Sequence, residues 1–169
     1  MAAARVLRWL APVLLSAALV ALAPSAVASS GPAVRGGGVV DGPLGITSQL
    51  GFTATSSGGS FLCVMAGRSG GFPFGPWQSI QQMQVQGRVT PGSLSITGGV
   101  ATFSGTARIH VVGTTATGRL AVTLTDVPFI STQGAGGAGV AWHRLDVGDP
   151  VNAVFPREDL IAGHITIWP

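Results

Sequence analysis

The chain has 169 residues, of which 9% are charged, and all nine of its basic residues are arginine. That length suits one domain with its own core and is short for two. With no lysine and no basic cluster, the chain lacks a nucleic-acid footprint and any phosphate-cradling G-K-[S/T] loop.

Residues 1–28 are expected to be a cleavable secretory leader. Arg5 and Arg8 supply the positive start, residues 9–23 are an apolar run broken by Pro12, and Ala26-Val27-Ala28 offers a small-x-small cleavage site. The run is short for a span of about 20 residues, so cleavage is expected rather than anchoring, leaving no membrane span. The product would be secreted or held at the exterior of the cell envelope. Loss of the leader leaves seven arginines against six acids. Absence of Lys and Tyr beside abundant Ala, Gly, Val and Arg suggests a GC-rich bacterial coding bias.

Residues 29–45 are rich in Gly and Pro and are expected as a flexible lead-in centred on Gly36-Gly37-Gly38, with a single β-domain over 46–169. Residues 46–55 alternate, placing Leu50, Phe52 and Ala54 on one face of a first strand. Residues 61–66 are apolar on both faces, which predicts a central strand. Cys63, the one cysteine, lies in that run and is expected to be a small buried hydrophobe, with no intramolecular disulfide available.

Residues 67–79 hold four glycines, two prolines and the rings Phe72, Phe74 and Trp77, a composition that predicts an irregular loop. Exposed, the three rings would be an adhesive patch, and they are the candidate binding residues of the sequence. Folded back, they would cap the core. Met83, Val85 and Val89 alternate against Gln82, Gln84, Gln86 and Arg88, giving a one-faced strand closed by Pro91-Gly92.

The clearest signal is a hairpin over 93–112. Ala101, Phe103, Ala107, Ile109 and Val111 share one face, and Thr102, Ser104, Thr106, Arg108 and His110 the other. Gly98-Gly99 suits a two-residue turn, because only Gly takes positive φ cheaply. Pairing Thr97 with Val100 sets Ile96 against Ala101, Ser95 against Thr102, Leu94 against Phe103 and Ser93 against Ser104, so apolar meets apolar throughout.

Residues 113–118 are a Thr-rich turn. Residues 119–127 form the next strand, with Leu120, Val122 and Leu124 inward, facing Val111, Ile109 and Ala107. Residues 131–139 are a Gly/Ala loop. Over 140–147, Trp142 and Leu145 are out of phase, which suggests a bulge or a change of face. After the turn-rich 148–156, residues 160–168 set Ile161, Ile165 and Ile167 against His164 and Thr166. Helical periodicity is absent past the leader. About eight strands spaced roughly 10–15 residues apart predict an all-β fold, an antiparallel β-sandwich or small β-barrel that meanders around the 93–112 hairpin.

No motif in the chain carries chemistry in its required context. Gly67-Arg68-Ser69-Gly70-Gly71 matches the G-x-S-x-G nucleophile elbow, but Phe72-Pro73-Phe74-Gly75-Pro76 cannot start the helix that elbow needs. The run over 134–139 matches a dinucleotide fingerprint by letter, yet Val140-Ala141-Trp142-His143 directly after it is strand-like rather than helical. No catalytic residue and no cofactor are expected. His110, His143 and His164 fall in separate strands and are read as polar side chains on wet faces, so no metal site is expected. Glu158 and Asp159 are read as a solvated turn or as charge guarding an edge. An enzyme would need two of Ser69, His110, His143, His164 and Glu158 within hydrogen-bond reach.

The run from Gly59-Ser60-Phe61-Leu62-Cys63 through Arg68-Ser69, the strand over 83–89 and Gly99-Val100-Ala101-Thr102-Phe103-Ser104-Gly105-Thr106-Ala107 resemble small exported proteins of actinobacterial type that have no assigned function. The last segment also resembles β-domains appended to larger secreted bacterial proteins. The resemblance covers under half of the chain and brings no catalytic residue; it implies an exported all-β protein. The expected function is therefore a non-catalytic binding or interaction module, meeting a protein or a glycan through Phe72, Phe74 and Trp77. The alternative is a small barrel holding an apolar small molecule among Cys63, Met65, Phe103 and Trp142.

Overall fold

A computed structural model describes residues 31–67, 71–74, 77–137 and 139–169, with Leu44 and Phe74 described by backbone alone. The expected leader, Arg68 and Ser69 lie outside the described residues. The strands in chain order are β1 (Ala33–Asp41), β2 (Ile46–Thr55), β3 (Gly58–Gly67), β4 (Phe72–Phe74), β5 (Trp77–Val89) and β6 (Ser95–Thr97). They continue as β7 (Val100–Thr115), β8 (Gly118–Gly134), β9 (Trp142–Val147), β10 (Ala153–Val154) and β11 (Glu158–Trp168). Every pairing is antiparallel.

The sheet returns on itself. β1 pairs β2 and β11, β5 pairs β3 and β7, and the ring runs β1-β2-β3-β5-β7-β8-β9-β11 and back to β1. With β4, β6 and β10 hanging off it, the ring has eight strands, the closed form of the expected all-β fold. One seam is broken but continuous: β10 pairs the end of β9, Phe155 N donates to Leu145 O at 2.9 Å, and β11 takes over at Glu158. Pro156, which has no N–H to offer a ladder, sits at the break.

Alternation fills the ring. Phe52, Phe61, Cys63, Met65, Met83, Val85, Phe103, Ile109, Phe129 and Leu145 point inward and are buried. The Phe61 ring stacks on Phe129 at 5.1 Å between centroids, and Phe103 meets Phe52 at 5.9 Å, Phe61 at 6.1 Å and Phe129 at 6.4 Å. Gly87 and Gly105, inward positions on β5 and β7, leave room for that cluster: a Cβ on Gly105 would lie 3.0 Å from the Phe129 ring and overlap the Arg88 carbonyl oxygen.

Several segments depart from expectation for physical reasons. The Gly-rich segment expected as a flexible lead-in is β1, the strand that closes the ring. Its glycines allow β11 to approach, since a Cβ on Gly38 (φ 151°) would overlap the Ala162 carbonyl oxygen. β3 is the central strand expected, paired with β2 and β5, but only one of its apolar faces is buried: Phe61, Cys63 and Met65 are inward while Leu62 is 39% exposed. The hairpin register at Thr97, Ile96 and Ser95 is as expected. Beyond it the ladder stops, and Ser93 holds Ser104 through its hydroxyl, Ser93 Oγ donating to Ser104 O at 2.9 Å.

The β7–β8 register is two residues off the expected one. Val111 faces Val122 and Ile109 faces Leu124, because the turn is the two residues between Thr115 and Gly118; past a bulge after Leu124 the offset is three, and Ala107 faces Val127. A shift of two keeps the faces, but this end of β8 is not covered: Leu120, expected inward, is 44% exposed, and Val122 and Leu124 are half-buried. β8 also runs on to Gly134, taking in the start of the expected 131–139 loop, so that Ser131 and Gln133 continue the inward row of Phe129. β9 needs no change of face, since His143, Leu145 and Val147 alternate inward and Trp142 points out. On β11 a register shift opposite Val39 and Val40 leaves Ile161 62% exposed while Ile165 is buried.

Candidate functional site

Two places in the barrel gather polar side chains. The first is inside. Ser48, Ser131, Gln133, His143 and Glu158 are all buried on inward positions of β2, β8, β9 and β11. Gln133 and His143 are register partners, as are His143 and Glu158, so the three stand in a row across β8, β9 and β11. Gln133 Nε2 donates to Ser131 Oγ at 2.7 Å and to His143 Nδ1 at 2.8 Å, and Ser48 Oγ donates to Glu158 Oε1 at 2.9 Å. Accepting at Nδ1 puts the imidazole proton on Nε2, which has no partner among the described residues. Gly42 makes space for the carboxylate: a Cβ there would lie 2.8 Å from Glu158 Cγ.

Burial sets the protonation of this row. It pulls His143 down to about 3, so the ring is neutral at ordinary pH. It pushes Glu158 up to about 7, opposed by the Ser48 hydrogen bond and helped by the charge of Asp41. Burial, then the Glu158 charge, also push the Cys63 thiol far above its ordinary value, so Cys63 is the inert buried thiol expected. A neutral imidazole beside a carboxyl that titrates near neutrality has the composition of a general acid–base pair. Here it is sealed: Glu158 is 2% and His143 1% exposed, and the Phe61 ring lies 5.8 Å from the imidazole.

The second place is the outer wall. A groove of about 770 Å³ crosses β3, β5 and β7 up to the β8 bulge, lined by Ser60, Gln86, Arg88, Thr106, Arg108 and Asp126 among others. A smaller one of about 180 Å³ continues from Gln86 and Arg108 to Gln84, His110 and Thr123. These are the outward positions of the strands whose inward positions build the core. Gln86 pairs Arg108, Arg88 pairs Thr106 and Gln84 pairs His110. His110 Nδ1 is 3.0 Å from Thr123 Oγ1. Asp126 holds its place on the rim through a left-handed backbone (φ 57°) at the bulge.

The residues singled out from the sequence divide between core and outer wall. Phe72 is 1% and Trp77 7% exposed, so both rings are folded into the core and give a partner nothing to grip; the Phe74 side chain lies outside the described residues. Of the lining proposed for an apolar ligand, Cys63, Met65 and Phe103 are buried in the core cluster. Trp142 is on the outer wall with the Arg157 guanidinium 5.0 Å over its ring. His143 corrects its expected wet-face placing, since it lies inside, while His110 and His164 are exposed. Glu158 is likewise buried rather than solvated, and only Asp159 faces water, with Arg157 Nε at 2.9 Å. Among the described residues no group of three or more His, Cys, Asp or Glu is placed to hold a metal ion, and no helix is long and apolar enough to cross a membrane.

Gln133 falls in the segment expected as a loop, His143 on a face expected to be wet and Glu158 in an expected solvated turn, whereas all three are inward strand positions. The signal was present: Val127, Phe129, Ser131 and Gln133 keep one phase, and so do His143, Leu145 and Val147. Compared with protein-family models, with curated proteins and with solved structures, the chain matches none.

Proposed function

We propose that the protein is an exported, non-catalytic binding module that meets its ligand on the outer wall of the barrel and not inside it. The observation that carries this reading is the contrast between the two faces of β5 and β7. Inward, their side chains belong to a core closed over by the Phe52, Phe61, Phe103 and Phe129 rings; outward, the same strands present amides, hydroxyls and guanidiniums along an open groove. Ligand sites need concavity and convergent polar groups, and the groove has both. Export rests on the Arg5/Arg8 start, apolar run and Ala26-Val27-Ala28 site of the leader. The interior His143 and Glu158 do no chemistry in this reading, because both are closed off from solvent.

The test is backbone-amide NMR of the protein against a library of small polar compounds (sugars, amino acids, nucleotides and oxyanions). Shifts are expected to cluster at residues 84–88 and 106–110. Saturable binding of a fluorescent fatty-acid analogue, with shifts centred on Phe61, Phe103 and Phe129, would overturn the reading in favour of an interior ligand.

A further inference from the structure

Charge is scarce in this chain, so the placing of each arginine is informative. Six arginines are described. Arg35 lies 4.9 Å over the Trp168 ring, Arg144 Nε is 3.2 Å from Asp146, and Arg157 is held by both Asp159 and the Trp142 ring. Arg88, Arg108 and Arg119 have no ion pair, hydrogen bond or ring partner among the described residues, and two of these three line the same groove. Arg88 stands opposite Thr106 and Arg108 opposite Gln86, which makes them diagonal neighbours on the outward face, with Cβ atoms about 7 Å apart. Two like charges so placed disfavour the fold slightly, and no neighbouring acid is paired with either.

We infer that Arg88 and Arg108 together form an oxyanion-binding site, taking the sulfate, phosphate or carboxylate groups of an extended glycan; this rests on the outer-wall reading above. Each guanidinium offers a planar fork of donors that matches an oxyanion two bonds at a time, and diagonal placing lets two forks converge on one group or clasp successive ones. The rest of the groove fits a polyol. Gln86, Thr106 and Ser60 supply donors and acceptors for hydroxyls, and Gln84, His110 and Thr123 continue the same chemistry past Arg108. The lining holds no Phe, Trp or Tyr ring on which a neutral sugar would stack, and His110 is its one flat ring, so recognition falls mainly to the charges. Asp126 on the rim works against an anion and tunes the site.

The experiment compares binding of dextran sulfate and of uncharged dextran by the protein, at low and moderate salt, with circular dichroism checking that each variant is folded. Dextran sulfate is expected to bind with a strength that falls as salt rises, and dextran is not. Arg88→Gln and Arg108→Gln are each expected to weaken dextran sulfate binding about tenfold. Arg119→Gln, the same charge change outside the groove, is expected to leave binding near the parent value, and Asp126→Asn to tighten it. Equal weakening by all three arginine variants would reduce the effect to net charge and overturn the site. So would co-sedimentation with phosphatidylglycerol vesicles in the absence of dextran sulfate binding. If small polar compounds still shift residues 84–88 and 106–110 while dextran sulfate ignores Arg88 and Arg108, the oxyanion site falls and the outer-wall reading stands.

Discussion

Glu158 and His143 illustrate how one inward position decides a side chain's chemistry. Each sits in a strand whose neighbours in phase are apolar, and each is taken out of water by the ring that closes around it. Folded Glu158 keeps its proton up to about pH 7, whereas the unfolded chain releases it near its ordinary 4.5. Between those values the unfolded state gains by deprotonating, and stability falls as pH rises, by about 3 kcal/mol in all. His143 runs the other way: the unfolded ring protonates below 6.5 and the folded one resists to about 3, so stability falls as pH drops through that window. From pH 4.5 to 6.5 the two slopes oppose each other. Glu158→Gln removes one of them, so the stability of that variant relative to the parent is expected to rise by about 3 kcal/mol between pH 4.5 and 7. Denaturant midpoints across that range measure it, and parallel pH profiles for the two proteins would contradict the buried carboxyl. None of this was legible from the residues alone. An Asp/Glu pair before a strand is normally solvated, and only the strand pairing reveals which of the two points inward.

At the scale of elements, the strands rich in β-branched and aromatic residues were legible, because period-two alternation with turn residues at its ends has few other solutions. β2 has the bounds its alternation marked, and β5 has the expected dry and wet faces over 82–89. β1 was not legible: its glycines carry no hydrophobic pattern, and their role is steric, set by a partner more than a hundred residues away. Two glycines in neighbouring strands separate these roles. Gly38 has positive φ and abuts the Ala162 carbonyl, so Gly38→Val is expected to cost about 3 kcal/mol or more and to release β1 from β11. Gly51 on β2 has ordinary φ and nothing within 4 Å of an added Cβ, so Gly51→Val is expected to change stability by less than about 1 kcal/mol. Urea midpoints of the two variants, with limited proteolysis of β1, decide the matter. Equal losses would mean that the β1–β11 seam is not the close-packed junction described here.

For the whole molecule, the consequence of closure is a division of labour between faces. Once eight strands return on themselves and aromatic rings pack between them, the inward faces are given to the core, and in the reading proposed here the outward faces are left for binding. Alternation made the outward Gln and Arg residues of β5 and β7 legible as a wet face. It could not reveal that two arginines from different strands lie diagonally across it, which depends on register. Nor could it separate barrel from sandwich, which depends on β1 and β11 meeting. That meeting is tested most directly by interstrand proton NOEs in the isotopically labelled protein. The closed ring predicts contacts between Val34 and Ile167, between Gly36 and Ile165, and between His143 and Glu158. Their absence, with the β2–β3, β3–β5 and β7–β8 contacts intact, would mean an open sheet and would contradict the account.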